Sequence, residues 1–233
     1  SKNNIKTIYN LGGNIKKDIP VGSISMEEKW FSLKKNTFEI PEIDLLLIGI
    51  NPSSCLQIND SVKLNYFKHI EWIKRFSLEN PNYIIYFKHH DYRLKYINDK
   101  GKVINKEDSI FLNEQKILQG TSVVTQTITK TENGSYAYIN KSKVVCSFGS
   151  TMILEALGHG KRSYFLDPDY NNSAFFQNYD EYKSLRISNY NDFKHFMDEA
   201  IKNHDSKIIA NTDQYCLKSD NVSKRIYDFF NKI

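Results

Sequence analysis

Cysteine is scarce in this chain. Cys55, Cys146 and Cys216 lie far apart and form no Cys-x-x-Cys pair, which excludes a disulfide framework and a cysteine-built zinc site and suits a reducing compartment such as the cytoplasm. Long apolar runs are missing too. No stretch approaches the ~20 residues that cross a bilayer. The opening "SKNNIKTIYNLGG" has no apolar core of the kind a signal peptide needs, so any membrane association is expected to be peripheral, at the inner face. Repeats, heptads and low-complexity tracts are absent. Neither a Walker A loop nor a G-x-G-x-x-G turn occurs, which removes the common mononucleotide and dinucleotide fingerprints.

What is present is the composition of an ordinary globular protein. With 233 residues, 40% of them hydrophobic and 25% charged, the chain can bury one sizeable core. The formal net charge of +5 slightly favours an anionic ligand. The lysines are spread along the chain rather than gathered in a block, so the excess reads as solvated surface and does not select nucleic acid as a partner.

Apolar runs rich in Ile, Val, Leu and Tyr recur at 43–50, 83–87, 122–125, 143–146, 163–166 and, more weakly, 185–188. Segments with helical spacing lie between and after them, at 62–78, 108–119, 150–158, 191–203 and 220–231. Parallel strands need crossover connections, usually helices, so this alternation predicts an α/β fold: a doubly wound, mostly parallel, Rossmann-like sheet. In "NDFKHFMDEAIKN" the residues Phe193, Phe196, Met197, Ala200 and Ile201 recur at i, i+3, i+4, i+7 and i+8, a stripe that marks packing and nothing more. His195 lies beside that stripe and reads as a surface residue. Residues 1–40 carry paired glycines and no sustained period, so they read as a connector ahead of a single domain over 41–233.

The chemistry concentrates in "KVVCSFGSTMILEALGHGKRSYFLD", Lys143 to Asp167. Ligands of open parallel sheets bind beyond the carboxyl ends of the strands, and "SFGST" sits at such an end. Gly149 permits a sharp turn and a close backbone approach. Ser150 and Thr151 add hydroxyls beside the unpaired N–H groups of a helix start, a setting that suits phosphate. The plain alternative is that one of them merely caps its own helix. Glu155 follows Thr151 by one turn on the same face, where a carboxylate could accept hydrogen bonds from ribose hydroxyls or simply stand in solvent.

A second strand end, "YIIYFKHHDYR", supplies Lys88, His89 and His90. If it opens on the same edge as the Gly-Ser-Thr turn, lysine or imidazolium could neutralise a departing diphosphate, and a histidine could serve as general acid. Neighbouring residues on a strand point to opposite faces, so one of His89 and His90 is expected at the ligand. A third strand end, "FLDPDYNNSAFF", offers Asp167, Asn171, Asn172 and Ser173 as sugar contacts, or a plain turn.

The succession of "KHH", "SFGSTMILEALGHGK", "RSYFLD" and "SDNVSKRIYDFF" resembles the C-terminal, nucleotide-sugar-binding domain of GT-B glycosyltransferases. It is most similar to bacterial enzymes of surface polysaccharide synthesis, of the Kdo- or sialic-acid-transferring and teichoic-acid polymerase-like branches. "IPVGSISM", Ile19 to Met26, resembles the interdomain connector of that half. The resemblance implies that Lys88, His89 or His90, Ser147, Gly149, Ser150 and Thr151 hold the nucleotide phosphates and that Glu155 shapes the nucleotide pocket. His90 stands where the family's K-x-H-P motif has proline. The implied activity is transfer of a sugar from a nucleotide-activated donor, with CMP among the candidate carriers, to a glycan or glycolipid acceptor of lipopolysaccharide or capsule. The donor is a substrate, and neither cofactor nor metal is implied. Such enzymes need two facing domains, so an N-terminal acceptor domain is expected beyond this chain. The alternatives are a polyol-phosphate transferase of the CDP-glycerol type and a non-catalytic Rossmann-like binding module.

Overall fold

A computed structural model of the protein describes residues 40–50, 60–90, 109–126, 134–168 and 180–203, together with Lys224 and Tyr227. The expected connector, and all but those last two residues of the expected helix at 220–231, lie outside them. Both Lys224 and Tyr227 are helical and exposed.

Six strands form one sheet: β1 (Ile43–Ile48), β2 (Ile85–Lys88), β3 (Val124–Gln126), β4 (Ser142–Ser147), β5 (Arg162–Leu166) and β6 (Arg186–Ile187). Every pairing is parallel and the spatial order is β3-β2-β1-β4-β5-β6. The chain therefore starts in the middle, winds outward to β3, returns beside β1 as β4 and winds outward again. That order is the doubly wound Rossmann arrangement, whose ligand crevice opens where the winding reverses, here between β1 and β4.

The helices are α1 (Asp60–Glu79), α2 (Ser109–Leu118), α3 (Gly134–Lys141), α4 (Met152–Gly158) and α5 (Tyr190–Lys202), with a 3-10 helix at Asp180–Leu185. Strand alternation splits the core in two. On one face Leu45, Leu47, Ile85, Phe87, Val144 and Cys146 pack with residues of α1, α2 and α5. On the other Leu46, Ile48, Tyr86, Val145 and Phe165 pack with residues of α3 and α4. The α5 stripe is seated as its spacing predicts: Phe193, Met197, Ala200 and Ile201 are buried, and the Phe193 ring meets Trp72, Phe76 and Tyr190. Phe196 is the exception, lying at the rim stacked on Tyr164.

Two differences from the expected elements have local causes. Tyr83 and Ile84 do not join β2, because Tyr83 N–H closes a turn onto Asn80 O at 3.1 Å after α1. Helix α3 was not expected at all. Its sequence opens Gly-Ser-Tyr and buries Ala137 and Ile139 against β1 and β4, an apolar face too short to show a period.

Helix α4 ends in a Schellman turn. Gly160 adopts φ +76°, its N–H reaches Leu157 O at 2.8 Å, and Lys161 N–H reaches Ala156 O at 2.9 Å. The Lys161 ammonium then donates to Asn140 O and Ser142 O, both at 2.9 Å, which ties the end of α3 to the start of β4. The function of Gly-Lys here is to stop a helix.

Candidate functional site

Parallel register places the chemistry. Ile48 of β1 is paired with Lys88 on one side and Ser147 on the other, so Lys88 and Ser147 stand at one level, about 10 Å apart across two strand spacings. The segments that follow, 89–90 and 148–151, open on the same carboxyl edge, either side of the tip of β1. Gly49 makes that tip lie flat on its neighbour. Its N–H bonds Lys88 O at 2.8 Å, and a Cβ there would sit 3.2 Å from His89 Cα, His90 N and Lys88 O, so alanine would force the two strand ends apart.

The Gly-Ser-Thr turn is organised from beneath by Ser147. Its side chain is fully buried; the hydroxyl donates to Ile48 O at 2.8 Å and accepts from Gly149 N–H at 3.3 Å and Ser150 N–H at 3.1 Å. This corrects the expectation that Ser147 itself holds phosphate, and two of the amides expected in the cradle are already bonded. We expect Ser147→Ala to lower stability by about 1–3 kcal/mol, because buried amides lose their acceptor; urea unfolding measures it. Ser150 accepts the Met152 N–H at 3.3 Å, so it does cap the helix start, while its own O–H remains available to donate. Thr151 occupies the N-cap, exposed and without a side-chain capping bond.

Glu155, half-buried, accepts a hydrogen bond from the Tyr136 hydroxyl through Oε2. Tyr136 belongs to the unexpected α3 and so escaped the sequence reading.

The two histidines part company. His89 is buried on the α1–α2 side, its ring centroid 4.4 Å from that of Phe87 and 5.2 Å from that of Phe111. Its Nδ1 lies 3.3 Å from Glu114 Oε2, a contact without hydrogen-bond alignment, and its Nε2 has no hydrogen-bond partner among the described residues. His89 is thus a core residue, which corrects its assignment as a catalytic group, and His90, half-buried, is the imidazole nearer to solvent. Lys88 is also buried, its ammonium 3.4 Å from His89 O; by strand alternation it shares the α3–α4 face with Tyr86.

Around Glu114 the core holds a polar cluster. Glu114 is fully buried and accepts from Tyr66 Oη, and His69 joins Tyr66 and Phe148 in a three-ring cluster, its ring centroid 4.8 and 5.2 Å from theirs while theirs lie 5.5 Å from each other. Burial drives the His69 pKa down to about 3, against smaller opposing effects of a Tyr66 backbone hydrogen bond and the Glu114 charge. The sequence signal was available: Glu114 falls on the stripe of Ile110, Phe111 and Leu118, and His69 on that of Val62, Tyr66, Ile70 and Ile73, both at helical spacing.

At the third strand end Asp167 is not a rim residue. It is buried, its N–H bonds Ile187 O at 2.9 Å, and its carboxylate pairs with Arg186 of β6, which corrects its assignment as a sugar contact. Asn171, Asn172 and Ser173 lie outside the described residues. Cys146 is buried, which pushes its thiol far up and leaves it unreactive. Among the described residues no group of His, Cys, Asp and Glu is arranged to hold a metal, and no helix is long and apolar enough to cross a membrane.

The chain matches no protein-family model and no curated protein sequence. Among solved structures it is similar to TarM, with a TM-score of 0.46 at 12% identity over 83% of this chain and 35% of that one. The chain thus spans about a third of TarM's length, and a likeness this loose carries no argument about chemistry.

Proposed function

We propose that this chain is the donor-binding half of a GT-B glycosyltransferase that moves a sugar from a nucleotide-activated donor to a bacterial surface glycan. One observation carries the reading: the parallel register that brings the ends of β2 and β4 to one edge, on either side of the β1 tip, where the winding reverses. Candidate donor contacts at that edge are the Ser150 and Thr151 hydroxyls, the Glu155 carboxylate and the His90 imidazole. Ser147 and Gly49 shape the edge from behind.

In this reading an acceptor hydroxyl attacks the anomeric carbon, the bond to the nucleoside phosphate breaks, and charge builds on the departing phosphate. Hydrogen-bond donors already aimed at that charge lower the barrier. His90, when protonated, adds a positive charge, and holding donor and acceptor together supplies the rest. The acceptor site and the base that takes the hydroxyl proton belong to a facing domain.

Isothermal calorimetry with CMP, CDP, UDP, GDP and ADP tests the reading. Binding of one nucleotide class is expected, and Ser150→Ala with Thr151→Ala should weaken it at least tenfold, since hydrogen bonds to a charged group contribute roughly 1.5–3 kcal/mol each. Unchanged affinity in the double variant removes these hydroxyls from the site, and no binding of any nucleotide to the parent chain removes the function.

A further inference from the structure

Among the described residues, His89 is the one buried side chain left with two unmatched polar atoms: neither Nδ1 nor Nε2 has a hydrogen-bond partner. The residue is 1% exposed and packs beside Phe87 and Phe111. A neutral imidazole carries one N–H donor and one bare acceptor nitrogen, so in either tautomer a donor and an acceptor are left over. The Glu114 carboxylate stands close by, 3.3 Å from Nδ1 but out of line for a hydrogen bond. The mismatch is not confined to β2. Asn65, which precedes Tyr66 on α1, is 6% exposed, and its Nδ2 amide also lacks a partner. Tyr66 reaches from that helix to Glu114, and Glu114 faces His89, so α1, α2 and the end of β2 close around one polar interior. Native cores leave few such atoms unmatched.

The chemistry of these groups selects the occupant. It must donate to one imidazole nitrogen and accept from the other. An anion only accepts, and it would meet the Glu114 carboxylate. A metal ion takes the bare nitrogen alone, and no group of His, Cys, Asp and Glu among the described residues is arranged to hold one. The occupant must also be small, because His89, Glu114 and Tyr66 are enclosed by the core. Water both donates and accepts, and when buried it makes about three hydrogen bonds.

From this juxtaposition we propose an internal water site between α1, α2 and the end of β2, in which ordered water satisfies the His89 nitrogens and joins them to Glu114. The site is independent of the donor-site reading: it lies on the α1–α2 face of the sheet, whereas α4, which follows the Gly-Ser-Thr turn, packs on the other. Its place in the fold gives it a role. His90 follows His89, and the Gly49 backbone lies against both, so the water braces the β2 end that forms part of the carboxyl edge.

A crystal structure of the chain at a resolution that orders internal waters tests the site. Water oxygens are expected within about 2.7–3.2 Å of the His89 nitrogens, with Glu114 Oε2 or Asn65 Nδ2 among their other partners. Magnetic relaxation dispersion of the solvent signal gives a second readout, since water sealed in a core is held far longer than water at the surface. In His89→Phe, which keeps a ring beside Phe87 and Phe111, the count of long-lived waters should fall by about one or more per chain. Internal waters elsewhere are common to both proteins and cancel. Well-ordered side chains with no water density at either nitrogen overturn the inference. So do direct protein partners for both nitrogens, an ion with anomalous scattering in the water's place, or an unchanged count in the folded variant. If His89→Phe does not fold, the density alone decides.

Discussion

Stability should fall by about 2 kcal/mol between pH 6.5 and pH 5, and this fall should disappear in His69→Phe. His69 titrates near 6.5 in the unfolded chain but only at about 3 in the fold, because burial disfavours the imidazolium. The folded pKa is the depressed one, so between the two values the unfolded state binds the extra proton. Stability is complete above pH 6.5 and is lost progressively as pH drops toward 3, at about 1.4 kcal/mol per pH unit and on the order of 5 kcal/mol in all. A second group works in the same direction at lower pH. Glu79 is held down to about 2 by hydrogen bonds from Lys194, Arg75 and Tyr190, so its contribution is present above about 4.5 and fades as pH falls toward 2. The window from 6.5 to 5 isolates the histidine. Urea unfolding at half-unit intervals measures the slope, and a flat profile from pH 7 to 5 would contradict a buried, neutral His69. Phenylalanine suits the variant because it keeps an aromatic ring packed against Tyr66 and Phe148.

Glu114→Ala is expected to cost about 1–3 kcal/mol, the range for taking the acceptor away from a buried donor. The substitution removes the acceptor of the Tyr66 hydroxyl and the carboxylate that faces His89 Nδ1, both inside a fully enclosed part of the core. Burial keeps bulk water from replacing the lost acceptor. Glu114→Gln keeps a carbonyl acceptor for Tyr66, so it should cost clearly less. Equal losses in the two variants, read from urea midpoints at unchanged slope, would show that side-chain volume matters here and polarity does not.

The polar cluster also shows why the candidate site was only partly readable in advance. Alternation of strand and helix was plain because hydrophobic period is a local property: "IDLLLIGI" is apolar at every position but Asp44 because β1 lies in the middle of the sheet with both faces covered. The stripe of α5 was plain for the same reason. The choice between His89 and His90 was not, since it depends on Glu114 and Phe111, more than twenty residues further along, arriving beside β2. Ser147 was misread because its role is to bond Ile48, almost a hundred residues earlier. Asp167 was misread because Arg186 lies on the strand that becomes its neighbour.

The order of hydrophobic, polar and turn-forming residues was by itself enough to set the fold class, the approximate positions of the strands and of helices α1, α2, α4 and α5, and the Gly-Ser-Thr turn at the end of β4, because each follows from interactions within a turn or two of chain. Which hydroxyls and imidazoles face a ligand and which are sealed into the core was decided only when the β2 and β4 ends met beside β1 and helices α2 and α3 brought Glu114 and Tyr136 against them. Those contacts join residues tens of positions apart, and the free energy of a buried polar group depends on the partner that arrives.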